Sequence, residues 1–242
     1  MSQSALKFER RRTLVHKSAV FLVLFTLLSL LVGFSVALAT LLQDEQEGSE
    51  LMYAARSTTL YLSIDHIGLQ QNQSSSNEVS VAAEVTVLAQ QGEWVNVQLN
   101  GSQQDGAPSL LYAFQGKRIR IAYLNETAQA QMEILSTAED TETELIWHQA
   151  RLEGWVRRED LVSSRDEMFA EAAKYLSTYC SICHTMRPPE HLLANQWPSQ
   201  MEAMGIYTPL TPEQKDLMLK YLQYNAKDFQ PEAEGEEENQ ES

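Results

Sequence analysis

Cys180-Ser181-Ile182-Cys183-His184 is the stretch from which the C-terminal part of the chain can be interpreted. Its Cys-x-x-Cys-His spacing is the attachment signal of a c-type haem. Each of the two thiols can bond to one vinyl group of the porphyrin, and the histidine that follows can bind the iron from one side. The pattern therefore predicts Cys180 and Cys183 as the covalent attachment sites and His184 as the proximal iron ligand.

Three other uses of such a cysteine pair stay open, namely a structural disulfide, half of a zinc site and a thioredoxin-like redox pair. Zinc would need further ligands at matching spacing, but the chain has only two cysteines. A thioredoxin motif should follow a strand, whereas the flanking residues here predict helices. We therefore favour one covalent haem c as the cofactor.

The residues around the motif predict a small all-helical monohaem cytochrome c domain over residues 163–228. Residues 165–178 carry apolar side chains at helical spacing and lead into the motif. Pro198 fits the first turn of a short helix, where proline is tolerated. Thr211 and Gln214 have the spacing of a capping box, which predicts the start of the last helix.

The second axial ligand of the iron is predicted to be Met204. Met204 lies two helical turns after Trp197, so both side chains project from one helix face. Met201 and His191 remain alternatives, as does an open site. A thioether ligand favours ferrous iron and raises the reduction potential, and closed six-coordination indicates electron transfer rather than catalysis.

The middle of the chain, residues 79–162, predicts a β-rich module that looks like a small SH3-type barrel. Residues 94–99 alternate apolar and polar side chains, as a half-buried strand does, and Asn100-Gly101 after them is typical of a hairpin turn. Residues 117–123 alternate again, and Gly154-Trp155-Val156 closes the set.

The N-terminal part predicts a membrane anchor. Residues 18–42 carry no charge, which predicts a transmembrane helix after a basic cytoplasmic arm at residues 1–17. The charge distribution places the haem domain in the periplasm, as a single-pass protein of the bacterial inner (cytoplasmic) membrane. A cleavable signal peptide ending at Ala37-Leu38-Ala39 is the alternative.

The predicted fold class is therefore α+β, with an N-terminal transmembrane helix, a small SH3-like β-barrel and a C-terminal all-α cytochrome c domain. Residues 43–78 are assigned to a linker and residues 229–242 to an acidic disordered tail. The formal net charge is −15, and five of the 18 lysines and arginines lie in the first 17 residues. Such an acidic body repels nucleic acid and suits partners with a positive docking patch.

The sequence resembles the C-terminal part of the pentahaem c-type cytochromes of the trimethylamine N-oxide reductase system. The segments that carry the resemblance are 111–119, 154–156, 180–184, Asn195-Gln196-Trp197-Pro198 with Met204, and 220–226. The resemblance implies that Cys180 and Cys183 are thioether sites and that His184 is the proximal ligand. It also implies that Met204 stands where related small domains have their distal methionine.

In that family a tetrahaem module oxidises membrane quinol, and the C-terminal haem passes electrons to a periplasmic molybdenum reductase. This chain has one haem motif, so we expect it to take single electrons from a separate quinol dehydrogenase or another haem donor. It would pass them to a molybdenum N-oxide or S-oxide reductase, as an electron-transfer protein rather than an enzyme. The alternative is a redox-sensing or assembly module whose SH3-like region binds a partner.

Overall fold

The computed structural model describes residues 50–67, 76–182 and 185–229. Up to Val162 these residues form strands, one short α-helix and two single 3-10 turns. The strands are β1 (Glu50–Ala54), β2 (Thr58–Leu60), β3 (Asn77–Val79), β4 (Glu84–Gln91), β5 (Trp94–Gln104), β6 (Leu110–Phe114), β7 (Lys117–Tyr123), β8 (Glu133–Glu139), β9 (Ile146–Arg157) and β10 (Leu161–Val162). The helix is α1 (Glu126–Gln131), and the 3-10 turns are Ile64–His66 and Arg158–Asp160.

The ten strands form one antiparallel sheet. Its order is β10-β1-β4-β5-β6-β7-β3-β2, with β9 paired to β5 and β8 paired to β9. The predicted alternation in β5 is confirmed, because Val95, Val97 and Leu99 are fully buried while the residues between them are not. Tyr61, the residue after β2, forms two backbone hydrogen bonds with Trp155 of β9, of 2.9 and 2.7 Å. These bonds connect the end of β2 to β9.

Two glycines explain how closely these strands pack. The predicted turn at Asn100-Gly101 is wrong, since β5 runs through both residues to Gln104. A Cβ on Gly101 would lie 2.5 Å from the backbone oxygen of Tyr112, and one on Gly154 would lie 2.7 Å from Leu60 Cδ1. Both positions therefore require glycine because a neighbouring strand occupies the space of a side chain.

Helices make up the described chain after the sheet. They are α2 (Arg165–Tyr175), α3 (Trp197–Gly205) and α4 (Pro212–Tyr224), with a π turn at Leu176–Cys180 and 3-10 turns at Pro189–His191, Ala194–Gln196 and Lys227–Phe229. The predicted capping box of α4 is confirmed. Thr211 Oγ1 accepts the N–H of Gln214 at 3.2 Å, and Gln214 Oε1 accepts the N–H of Thr211 at 2.9 Å.

The predicted fold class is wrong, because the structure is mostly β and its helices share a core with the sheet. Ile119 of β7 is fully buried in one cluster with Trp197, Met218 and Leu222 of the helical part. The β part is a ten-stranded sheet, of which β1 and β2 precede residue 79, rather than a small barrel. The helical part is not an independent all-α domain. Its helices, 9 to 13 residues long, bury little surface alone and use the sheet as a support.

The predicted membrane localisation is also contradicted. Within residues 50–67, 76–182 and 185–229, no helix is long and apolar enough to cross a bilayer. The basic arm at residues 1–17 and the anchor assigned to residues 18–42 lie outside the described residues. The tail assigned to residues 229–242 is described only at Phe229.

Candidate functional site

Cys180 lies at the C-terminal end of the helical segment that begins with α2. Ser164 caps this helix, because its Oγ accepts the N–H of Glu167 at 3.4 Å. The chain continues from α2 into the π turn that ends at Cys180. The Cys180 thiol is half-buried, and this burial raises its pKa. The other two motif residues, Cys183 and His184, lie outside the described residues.

A cavity of about 450 Å³ lies beside Cys180. This volume falls in the range of about 300–1,000 Å³ that is usual for small-molecule sites. The wall is mainly apolar and includes the thioethers of Met201 and Met204, both on α3. Other residues that line the cavity include Tyr179, Met186, Arg187, Trp197, Tyr207 and Leu222.

The helix α3 is held at its first turn. Trp197 is 4% exposed, and its indole Nε1 donates to the carbonyl of Pro189 at 3.0 Å. Pro198 stands in the first turn, as the sequence predicted. Met201 and Met204 follow Trp197 at spacings of about one and two helical turns, so the three side chains share one side of α3. All three line the cavity.

The candidates for the second axial ligand differ in where the structure places them. Met201 is half-buried and Met204 is 49% exposed, and both line the cavity that Cys180 lines. His191 is exposed and is not among the lining residues. Its Nε2 lies 3.2 Å from Nη1 of Arg187. The cavity therefore favours a methionine of α3 over His191.

Large apolar side chains are exposed in the cavity wall, at Tyr207, and close to wall residues in sequence, at Ile182 and Ile206. The exposed fractions are 73% for Ile182, 70% for Ile206 and 80% for Tyr207. Groups of exposed apolar side chains usually mark a binding site. The cavity volume, the half-buried thiol and the two thioethers fit a haem c, whose apolar ring would cover part of this surface.

Sequence reasoning missed Arg187. It is the charged side chain among the described residues that line the cavity. Its signal in the sequence was its position three residues after His184, at the edge of the haem motif. The described ranges hold no group of three or more His, Cys, Asp or Glu side chains that could bind a metal ion by themselves.

A thiol of a Cys-x-x-Cys-His segment beside an apolar, thioether-lined cavity defines a candidate site of the c-type cytochrome class. Comparison with known proteins supports this class. Residues 46–161 match the family described as the TorC third cytochrome c domain. The matched residues contain β1 to β9 and end before Cys180.

Individual relatives agree with the family match. The chain is 30% identical over 169 residues to "Cytochrome c-type protein TorC" of Escherichia coli, an alignment that covers 69% of this chain and 43% of that protein. It is 30% identical over 155 residues to "Cytochrome c-type protein TorY" of Haemophilus influenzae, covering 63% of this chain and 42% of that protein. The chain therefore spans less than half the length of these relatives. No solved structure gives a significant match.

These findings confirm the resemblance that the sequence indicated. The chain is related to the TorC and TorY c-type cytochromes.

Proposed function

We propose that the chain is a monohaem c-type cytochrome that carries single electrons in a trimethylamine N-oxide reductase system. One observation carries the proposal: Cys180 of the haem motif lines the same cavity as the thioethers of Met201 and Met204. The names of the related proteins, which are c-type cytochromes, support the same class.

Four residues would hold the haem. Cys180 and Cys183 would form the thioether bonds, and His184 and Met204 would be the ligands of the iron. A bound haem c supplies a reversible one-electron couple at its iron. The proposal of one haem rests on the single Cys-x-x-Cys-His motif in the chain.

The other cavity residues set the surroundings of that couple. Trp197 and Leu222 are buried apolar walls that keep water from the inner side of the cavity. The Arg187 guanidinium at the cavity could pair with a carboxylate such as a haem propionate. A positive charge there favours the reduced iron.

The electrons would come from a quinol dehydrogenase or another haem protein and leave to a molybdenum N-oxide or S-oxide reductase. The formal net charge of −15 suits docking on a positively charged patch of the partner. The rate of transfer should therefore fall as salt concentration rises, because salt screens such attraction over about 10 Å at 0.1 M.

The experiment starts with the chain produced in cells that attach haem c. We expect a haem stain that survives denaturing electrophoresis, and reoxidation of the reduced protein when the reductase and its N-oxide are both added. Cys180→Ala, which removes one attachment site, serves as the control and should stain weakly or not at all. A fully loaded protein that stays reduced under turnover would contradict the proposed electron transfer.

The distal ligand has its own test. Met204→His should keep a six-coordinate iron and lower its reduction potential, because imidazole stabilises ferric iron more than a thioether does. Met201→His is the matched control, one turn away on the same helix, and should leave the potential unchanged. The opposite pattern would assign the ligand to Met201.

A second candidate function is partner binding by the sheet, with the haem reporting redox or maturation state. The observation that favours it is β8, whose seven residues are all exposed and include Ile134 and Leu135. An exposed edge strand can pair with a strand of another protein. Lys substitutions at Ile134 and Leu135 should abolish such binding and leave electron transfer intact. Loss of electron transfer in these variants would instead make β8 part of the reductase docking surface.

A further inference from the structure

The tip of the β6–β7 hairpin is fastened to the segment that leads into α3. Asn195, in the 3-10 turn before this helix, forms two hydrogen bonds with the hairpin backbone. Its Oδ1 accepts the N–H of Arg118 at 2.6 Å, and its Nδ2 donates to the carbonyl of Gly116 at 2.7 Å. Gly116 has a φ of +74°, which turns the hairpin tightly and is a conformation that favours glycine.

A third segment, the turn Lys227–Phe229, connects the same two segments through Asp228. Lys117 Nζ donates to Asp228 Oδ2 at 2.7 Å and to the backbone carbonyl of Asp228 at 2.8 Å. Asp228 Oδ1 accepts the N–H of Ala194 at 2.9 Å. Burial alone would raise the pKa of Asp228, but these hydrogen bonds outweigh burial and lower its pKa below the ordinary value. Asp228 is therefore a charged bridge between Lys117 and the start of the Ala194 turn.

Buried contacts extend this connection between the hairpin and the segment before α3 toward the core. Gln223 of α4 is 1% exposed, and its Nε2 donates to the carbonyls of Arg118 and Ala194, each at 3.3 Å. Ile119, the next residue of β7, is fully buried in the cluster that contains Trp197. The hairpin, the turn at residues 194–196 and the first residue of α3 thus form one packed unit.

We infer that the β6–β7 hairpin positions α3, and that Asn195 thereby determines how firmly a methionine of α3 binds the haem iron. This inference rests on the proposed function. The helix has nine residues, and isolated helices of that length are marginal in water. Met204 is 49% exposed, so its own packing fixes it weakly. The direction of α3 is therefore set at its N-terminal end, where the hairpin holds Asn195 and Trp197.

The test uses free imidazole as a competitor for the distal position of the ferric, haem-loaded chain. The variant Asn195→Leu removes both hydrogen bonds to the hairpin. We expect the imidazole concentration that half-displaces the native ligand to fall about fivefold to tenfold, the size of effect that one or two hydrogen bonds produce. Asn100→Leu is the matched control, because Asn100 is also exposed and accepts one side-chain hydrogen bond, from Gln98 within β5.

A second variant covers the case in which Asn195→Leu does not fold. Asn195→Asp keeps the oxygen that accepts the Arg118 N–H and loses the donor to Gly116, so its half-displacing concentration should lie between those of Asn195→Leu and wild type. Imidazole affinity that is the same in wild type and in the Asn195 variants would overturn the inference. So would an equal change in Asn100→Leu.

The inference and the proposed function fail in different ways. A wild-type chain that carries no covalent haem would remove the proposed function, and the inference with it. A wild-type chain with six-coordinate haem but unaltered Asn195 variants would contradict only the positioning by the hairpin. Unfolding temperatures of all variants show whether a change at the iron exceeds the general loss of stability.

Discussion

The sheet and the helical part of the chain differ in how completely they bury their own apolar side chains. In the sheet, no large apolar side chain within the described residues is more than 51% exposed. In the helical part, Ile182, Ile206 and Tyr207 are 70% exposed or more, and Tyr207 lines a cavity of about 450 Å³. The sheet buries its large apolar side chains more completely, whereas the helical part shares its buried core with β7 and leaves large apolar side chains exposed around the cavity.

Removing both haem attachment sites should have the largest effect on the difference between the two parts. Cys180→Ala combined with Cys183→Ala should abolish covalent haem and leave the apolar wall of the cavity in the helical part without the ring that would cover it. We expect amide hydrogen exchange over residues 165–229 to become fast, while the amides of β4, β5 and β9 stay protected. Hydrogen exchange followed by mass spectrometry makes the measurement, with Ser181→Ala as the control. Equal protection of both parts would mean that the helices are stable without haem.

Lys220 provides a test at the boundary between the two parts. It is 6% exposed on α4, and its Nζ donates to the carbonyl of Arg120 on β7. Burial, aided by the charge of Arg120, lowers its pKa to about 7, although Asp216 and Glu78 act in the opposite direction. In the unfolded chain the pKa of a lysine is about 10.4. Between these values the unfolded chain binds more protons, so the unfolding free energy should rise with pH.

The rise should approach about 1.4 kcal/mol per pH unit between pH 7 and 10. Lys220→Met should remove this slope, because no titratable group then remains at this buried position. Urea unfolding at several pH values is the measurement. A slope that persists in Lys220→Met would assign the pH dependence to another group.

Two buried tryptophans, one in the sheet and one in the helical part, allow the two parts to be compared directly. Trp197 and Trp147 are both buried, but Trp197 Nε1 donates to Pro189, whereas Trp147 Nε1 has no hydrogen-bond partner within the described residues. Replacement by phenylalanine removes similar volume at both sites. We expect Trp197→Phe to cost about 1 kcal/mol more than Trp147→Phe, because it leaves the Pro189 carbonyl unpaired. Denaturant unfolding of both haem-loaded variants decides this.

The smallest expected effect concerns charge at the cavity rather than packing. Arg187→Gln removes the guanidinium that lines the cavity and should lower the reduction potential by on the order of tens of millivolts. Arg187→Lys keeps the charge and should restore most of the potential. A redox titration followed by absorbance gives both values. An unchanged potential in Arg187→Gln would place this side chain away from the haem carboxylates.

The strands were predictable where local alternation determines them, as in β5, where buried Val95 and Val97 alternate with more exposed neighbours. The reason for Gly101 was not predictable. Asn-Gly is a common hairpin turn, but here the glycine admits the backbone of Tyr112 from the next strand. The fold class was misjudged for the same reason, because the packing of α3 and α4 on β7 depends on residues far apart in the chain.

The candidate site also contains some residues that local sequence signals predict and others that only the folded structure reveals. Cys180 was predicted from a five-residue motif and Met204 from its spacing to Trp197, which are both local signals. The support of α3 by Asn195 was not identified, because its partners Gly116 and Arg118 lie more than seventy positions earlier in the chain. No periodicity connects such positions, so only the folded structure brings them together.

The hairpin that holds Asn195 also has a consequence for the order of folding. Its strands, β6 and β7, are sequence neighbours, so they can pair early, whereas their contacts with Asn195 and Asp228 close loops of 77 and 111 residues. During synthesis the hairpin leaves the ribosome before the haem motif does. We therefore expect residues 185–229 to settle last, so that the thiol of Cys180 stays accessible until haem attachment completes the fold.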